Sequence, residues 1–207
     1  ADAYARAGNP DRALACARQL EEISRTLGEP AVLSGFAQTS FSIAHLAAGR
    51  AADAIDPARA ALRIHEHVEK ETAVWPAVLL AEALLETGDV TAAESMARQA
   101  IAFGHRSLRG ALEALAHGVL ARALLRRDGA SAREAAESAF AAAALIERTG
   151  ARLLAPWLSE WRAELAAVLG DDAARVRLLR AAHAGYLDIR APQQAERIGQ
   201  GLHVGLS

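Results

Sequence analysis

The sequence predicts an all-α protein: a right-handed superhelical solenoid of about five antiparallel helix hairpins, closed by a short C-terminal capping helix. Three observations carry this prediction. Hydrophobic residues make up 52% of the 207 residues, much of that alanine, the best helix former, while β-branched residues are sparse. Glycine returns with a period of about 40 residues, at Gly8, Gly49, Gly88, Gly129 and Gly170. Around each glycine the pattern reads helix, turn, helix. It is clearest at Thr87-Gly88-Asp89-Val90-Thr91-Ala92-Ala93, where Glu82 and Glu86 precede the turn on one face and Ala93, Ala97 and Ala100 follow it on one stripe. Glycine relieves the strain of a left-handed helix end, and Asp89 is placed to accept hydrogen bonds from the free amides of the next helix. One such hairpin cannot bury its own apolar faces, so neighbouring units must complete the core.

Taken in order, the first unit has a short leading helix with Tyr4, a turn at Gly8-Asn9-Pro10 and a second helix to about Leu27. Gly28-Glu29-Pro30 ends it. The second unit pairs residues 31–48 with a helix reaching about Lys70; Pro57 there favours a late start, with Asp56 as the cap. The third pairs Thr72 to Thr87 with Asp89 to Phe103, and Gly104-His105-Arg106-Ser107 reads as the next loop. The fourth pairs Leu108 to Arg127 with Ala132 to Arg148, where Ser131 and Glu134 make a capping box. The fifth pairs Arg152 to Leu169 with Asp171 to about Ile189. Ala191-Pro192 breaks the chain, and Gln193 to Gly199 forms a polar closing helix. Residues 1–200 are read as one repeat domain and 201–207 as a flexible tail.

Measured from the turn glycines, small residues recur at fixed offsets: Ala93, Ala97 and Ala100 after Gly88; Ala54, Ala58 and Ala61 after Gly49; Ala13 and Ala17 after Gly8. After Gly129 the set is Ala135, Ala139 and Ala142, displaced by one. With the Gly88-Asp89 turn and Tyr4 ahead of Gly8, this pattern resembles the tetratricopeptide repeat (TPR). Alanine at Ala17, Ala58 and Ala97 replaces the aromatic residue that family favours, and the period is longer than the family's. A narrower resemblance lies in the run from Thr149 through Pro156-Trp157-Leu158 and Arg162-Ala163-Glu164-Leu165 to Gly170-Asp171, and in Ala191-Pro192 with Ala195-Glu196-Arg197. It is similar to the last repeat of large bacterial signalling proteins that join an ATPase to a TPR tail, either behind a class III adenylate or guanylate cyclase domain or in LuxR-type regulators resembling the maltose activator. The resemblance implies a protein-binding or effector-sensing scaffold, with the cyclase arrangement favoured over the LuxR-type one. A free-standing adaptor or oligomerisation module is the alternative. A stack opening in mid-hairpin at Ala1 reads as part of a longer chain.

Charge and motifs narrow the function further. The formal net charge is −2, with 23 basic and 25 acidic residues interspersed, which gives no field for nucleic acid or an anionic membrane. Arg122, Arg126, Arg127 and Arg133 form the densest basic cluster and read as a solvated helix end. The single cysteine, Cys16, excludes an internal disulfide and packs as a small apolar residue. No apolar run reaches the ~18 residues of a membrane span and no signal peptide opens the chain, so the expected location is cytoplasmic. No phosphate loop and no nucleophile elbow is present. His65 and Glu69 lie one helical turn apart, but a metal site needs a third ligand and His67 points away, so the segment reads as a solvated polar face. The expectation is a non-enzymatic array with no cofactor and no metal. It recognises a protein, peptide or small effector in the groove lined by the first helices, and self-association is open to it. Candidate groove residues are His45, Trp75, Arg109, Glu113, His117, Trp157 and Arg162. Trp75, Trp157 and Trp161 also read as core filler between alanine-rich units, and the sequence leaves core or groove open for Trp157 and Trp161.

Overall fold

The computed structural model describes residues 1–6, 8–68, 72–127 and 132–204. Among these the chain forms helices and no strand. The helices are α1 (Asp2–Arg6), α2 (Pro10–Thr26), α3 (Ala31–Ala47), α4 (Ala51–Val68), α5 (Val74–Glu86) and α6 (Val90–Ser107). They continue with α7 (Gly110–Arg127), α8 (Ala132–Thr149), α9 (Ala155–Val168), α10 (Asp172–Asp188) and α11 (Pro192–Val204), and a 3-10 turn at Arg152–Leu154 leads into α9. Consecutive helices pack as hairpins, and the odd-numbered helices also stack on one another: α1 on α3, α3 on α5, α5 on α7, α7 on α9. This is a TPR-like solenoid, in which the odd helices form the inner layer.

The turn chemistry works as the sequence implies. Gly88 has φ +90°, a conformation costly for any residue with a Cβ, and Asp89 accepts a hydrogen bond from the Ala92 amide at 3.1 Å to start α6. Asn9 and Asp171 cap α2 and α10 in the same way. Gly129 and Ser131, which the sequence places at the fourth such turn, lie outside the described residues. The recurring alanines are the seam of each hairpin. Ala54, Ala58, Ala61, Ala93, Ala97, Ala100, Ala135 and Ala142 are each 0% exposed, because only a methyl group fits where two helices of a hairpin meet.

Three boundaries differ from the sequence reading. The helix containing Pro57 does not start at Asp56: α4 runs unbroken from Ala51 through Pro57 to Val68. Pro57 forgoes one backbone bond, but the buried face of Ala54, Ala58, Ala61 and Leu62 holds the helix on both sides of it. Residues 104–107 are not a loop, since α6 continues to Ser107 and Leu108 makes the turn at φ +54°. Gly104 serves close packing instead: a Cβ there would lie 2.8 Å from Glu113 Cβ on α7. Finally, α11 extends past Gly199 to Val204.

Most of the core is one cluster running from Ala5 to Trp161. A second, of Ala182, Tyr186, Ala191, Ala195 and Ile198, seats α11 on α10, with Trp157 touching both clusters. The inner layer curls far enough for its ends to meet: a Cβ on Gly8, at the first turn, would lie 2.4 Å from Gln193 Oε1 at the start of α11.

Candidate functional site

On the odd helices, residues at helical spacing point to the inside of the curl. Ile43, Leu46 and Ala47 on α3, Trp75, Val78, Leu79 and Glu82 on α5, Leu115 and Val119 on α7, and Trp157 and Trp161 on α9 line one cavity of about 210 Å³. Asp2, Ala5 and Arg6 of α1 and Gln194 of α11 close it. Every odd helix contributes, so the cavity is the solenoid's concave face drawn into a pocket.

Its polar groups come from the two ends and from α5. Arg6 is held by its neighbour one turn back, its Nε donating to Asp2 Oδ1 and Oδ2 at 3.0 and 2.9 Å. The Arg6 guanidinium stands over two indoles, 5.2 Å from the Trp157 centroid and 5.9 Å from that of Trp75, a cation–π arrangement. Trp157 also meets the Tyr186 ring edge-on at 5.1 Å. Glu82 has no hydrogen bond or ion pair with any described residue. Burial pushes its carboxyl above the usual glutamate range, with Glu86 and Glu160 adding to the effect and Arg122 and Arg6 opposing it. Gln194 Oε1 is buried without a donor.

Beside the cavity, one turn further along the inner helices, a charged ladder crosses three of them in succession. Arg122 on α7 donates from Nη2 to Glu86 Oε1 on α5 at 2.7 Å and from Nε to Glu164 Oε2 on α9 at 3.1 Å. Arg126 donates to the Leu85 carbonyl at 2.9 Å, and Arg127 to Glu94 Oε2 at 2.6 Å. The basic cluster is a solvated helix end only in part: Arg126 and Arg127 are exposed in the last turn of α7, but Arg122 is buried, and all three tie α7 to the preceding unit. The side chain of Arg133 lies outside the described residues. At the far end, Glu160 accepts both Arg197 Nη atoms, at 2.7 and 2.8 Å, and the Tyr186 hydroxyl at 2.8 Å, pinning α11 to α9. Burial and the Glu160 charge push the Tyr186 phenol up.

Of the candidates named from sequence, Trp75 and Trp157 come together in the cavity. The other five do not line it. His117 opens on a separate groove with Arg98, Glu134 and Glu137, and its Nδ1 is buried without a partner; burial holds its pKa down. His45 is also held low, by burial and by Arg50. Glu113 packs against Gly104 and lies 3.7 Å from His105 Nδ1, while Arg109 and Arg162 are exposed. His65 is not part of a solvated face: it is 3% exposed, bonded through Nδ1 to Thr72 Oγ1 at 2.6 Å and met edge-on by Phe36. Glu69, its sequence partner, lies outside the described residues, among which no group of His, Cys, Asp or Glu gathers to hold a metal. Trp161 is 9% exposed, and its ring lies against Gly118, where a Cβ would sit 1.9 Å from Cζ3. It thus fills the core, with one edge on the cavity.

Arg6, Glu82 and Gln194 were missed. Glu82 lies seven residues after Trp75, on the same face of a helix, and that spacing was the available signal. Arg6 and Gln194 reach the site only because the solenoid closes on itself, which no local pattern encodes.

No known protein family and no curated protein matches the sequence. Two solved structures share its fold over nearly the whole chain. One is a kinesin light chain-like protein of Podosopora anserina with nearly identical TPR-like repeats, at 20% identity over 92% of each chain and TM-score 0.59. The other is a variant of it, at 20% identity over 92% of this chain and 91% of that one, TM-score 0.60. The fold is that of a TPR-like helical repeat protein. None of the helices described is long and apolar enough to cross a membrane.

Proposed function

We propose that this array is a recognition scaffold that takes a segment of a partner protein into its concave face. One observation carries the reading: all the odd helices, far apart in sequence, converge on a single cavity that holds the three tryptophans of the chain. Large aromatic side chains at the centre of a concave surface are the usual anchors of binding energy. The work of the fold is then recognition, transmitted by rigid-body movement of stacked hairpins. The stretch from Thr149 to Asp171, with Ala191 to Arg197, favours a place as the regulatory repeat region of a larger bacterial signalling protein of the ATPase-and-cyclase kind.

The test is site-specific photo-crosslinking in cells. A crosslinker at Leu46 or Leu79, on the cavity wall, should capture a discrete partner that the same group at the outward-facing Phe140 does not. Equal capture from both faces, or none from the cavity wall, overturns the reading.

A further inference from the structure

We infer that Trp75, Trp157, Glu82 and Gln194 form a receptor for a guanidinium group, that the chain's own Arg6 occupies its aromatic part and leaves its acceptors unused, and that an arginine of a partner segment competes with α1 for it. The inference deepens the scaffold reading above and rests on it for the nature of the partner.

Four observations converge on this chemistry. First, the site already holds the group it is proposed to bind, since Arg6 stands over both indole faces. A planar, weakly hydrated guanidinium stacks on aromatic faces better than an ammonium does. Second, the cavity offers acceptors that Arg6 does not take up: Gln194 Oε1, buried without a donor, and the Glu82 carboxyl on its wall. Guanidinium supplies only donors, five of them in a fixed fork, so it is complementary to both at once. Third, the acids lining the cavity, Asp2 and Glu82, outnumber its one base, so an anionic partner is disfavoured. Fourth, the occupant is weakly anchored. α1 has five residues and buries only Ala5, and a helix of that length has no stability of its own. The remaining room, walled by Ile43, Leu79, Leu115 and Val119, suits the apolar stem of an incoming side chain.

Arg6→Ala empties the site, and ethylguanidinium chloride replaces the atoms removed. Titrated into this variant, it should give a saturable shift in tryptophan emission and raise Tm, and neither effect should saturate in the same range with the wild-type chain. Adding Glu82→Gln should weaken binding about tenfold, and ethylammonium should bind more weakly than ethylguanidinium. A second variant, Asp2→Asn, leaves Arg6 in place but frees it from its tether. It should bind L-argininamide about twofold more tightly than the wild type does. The inference is overturned if ethylguanidinium acts identically on Arg6→Ala and wild type, or if Asp2→Asn leaves argininamide binding unchanged. These titrations need no partner protein, so their failure is separable from failure of the crosslinking test, which needs no cation.

Discussion

At the scale of single residues, the contact between Gly118 and Trp161 shows how an alanine-rich solenoid fills its interior. The indole occupies the space that any β-carbon at position 118 would need. Gly118→Ala should therefore cost about 1–3 kcal/mol through overpacking. Trp161→Ala should cost about 3–5 kcal/mol through the cavity it leaves, a fall in Tm on the order of 10 °C for a chain of this size. The two are coupled: with Trp161 already truncated, Gly118→Ala should be nearly free, and a full double-mutant cycle by thermal denaturation measures this. Additive losses would contradict the packing described. Glu82 makes a second residue-scale prediction. Its folded pKa is raised above the ordinary 4.5, so its charge costs stability once pH climbs through the folded value, and the cost is absent below 4.5. Glu82→Gln should accordingly match the wild type in Tm near pH 4 and exceed it at pH 7. An advantage confined to acid would reverse the sign and refute the assignment.

At the scale of the element, α7 is held along one face by two kinds of contact. Its cavity side supplies Leu115 and Val119, while Arg122 reaches α5 and α9 together. The carboxylates it pairs with are 38% and 41% exposed, so solvent moderates the loss if the arginine is removed. Arg122→Met, which keeps the stem and deletes the charge, should cost about 1–3 kcal/mol, read as a lower denaturant midpoint. Helices and hairpins were legible in the sequence because glycine turns, caps and alanine stripes are local signals. Gly88 with Asp89, and Ala93 with Ala97 and Ala100, each specify their own element. Two of the three misplaced boundaries share a cause: Gly104 and Pro57 look like breakers, but both sit where packing between helices overrides local preference. The candidate site was legible only in its tryptophans. The other five candidates have suitable chemistry on first helices, yet the face each residue occupies depends on how neighbouring units rotate, which is a property of the stack.

At the scale of the whole molecule, the inner layer bends until its first turn meets its last helix. α11 completes the closure: it covers Ala182 and Tyr186, and its Arg197 grips Glu160. Deleting residues 192–207 should expose this apolar surface and leave Glu160 with only Tyr186, lowering Tm by several degrees on the order expected for a lost core contact; an unchanged melt would show that α11 is not a cap. The Glu86–Arg122–Glu164 ladder has a consequence of another kind. Repeat arrays commonly fray from an end, one unit at a time. Here a unit that peeled away would abandon half of an ion pair in the unit left standing, so intermediate states carry a penalty that neither the intact nor the fully melted chain bears. The array should melt in one sharp step, as an all-or-none switch and not as a zipper.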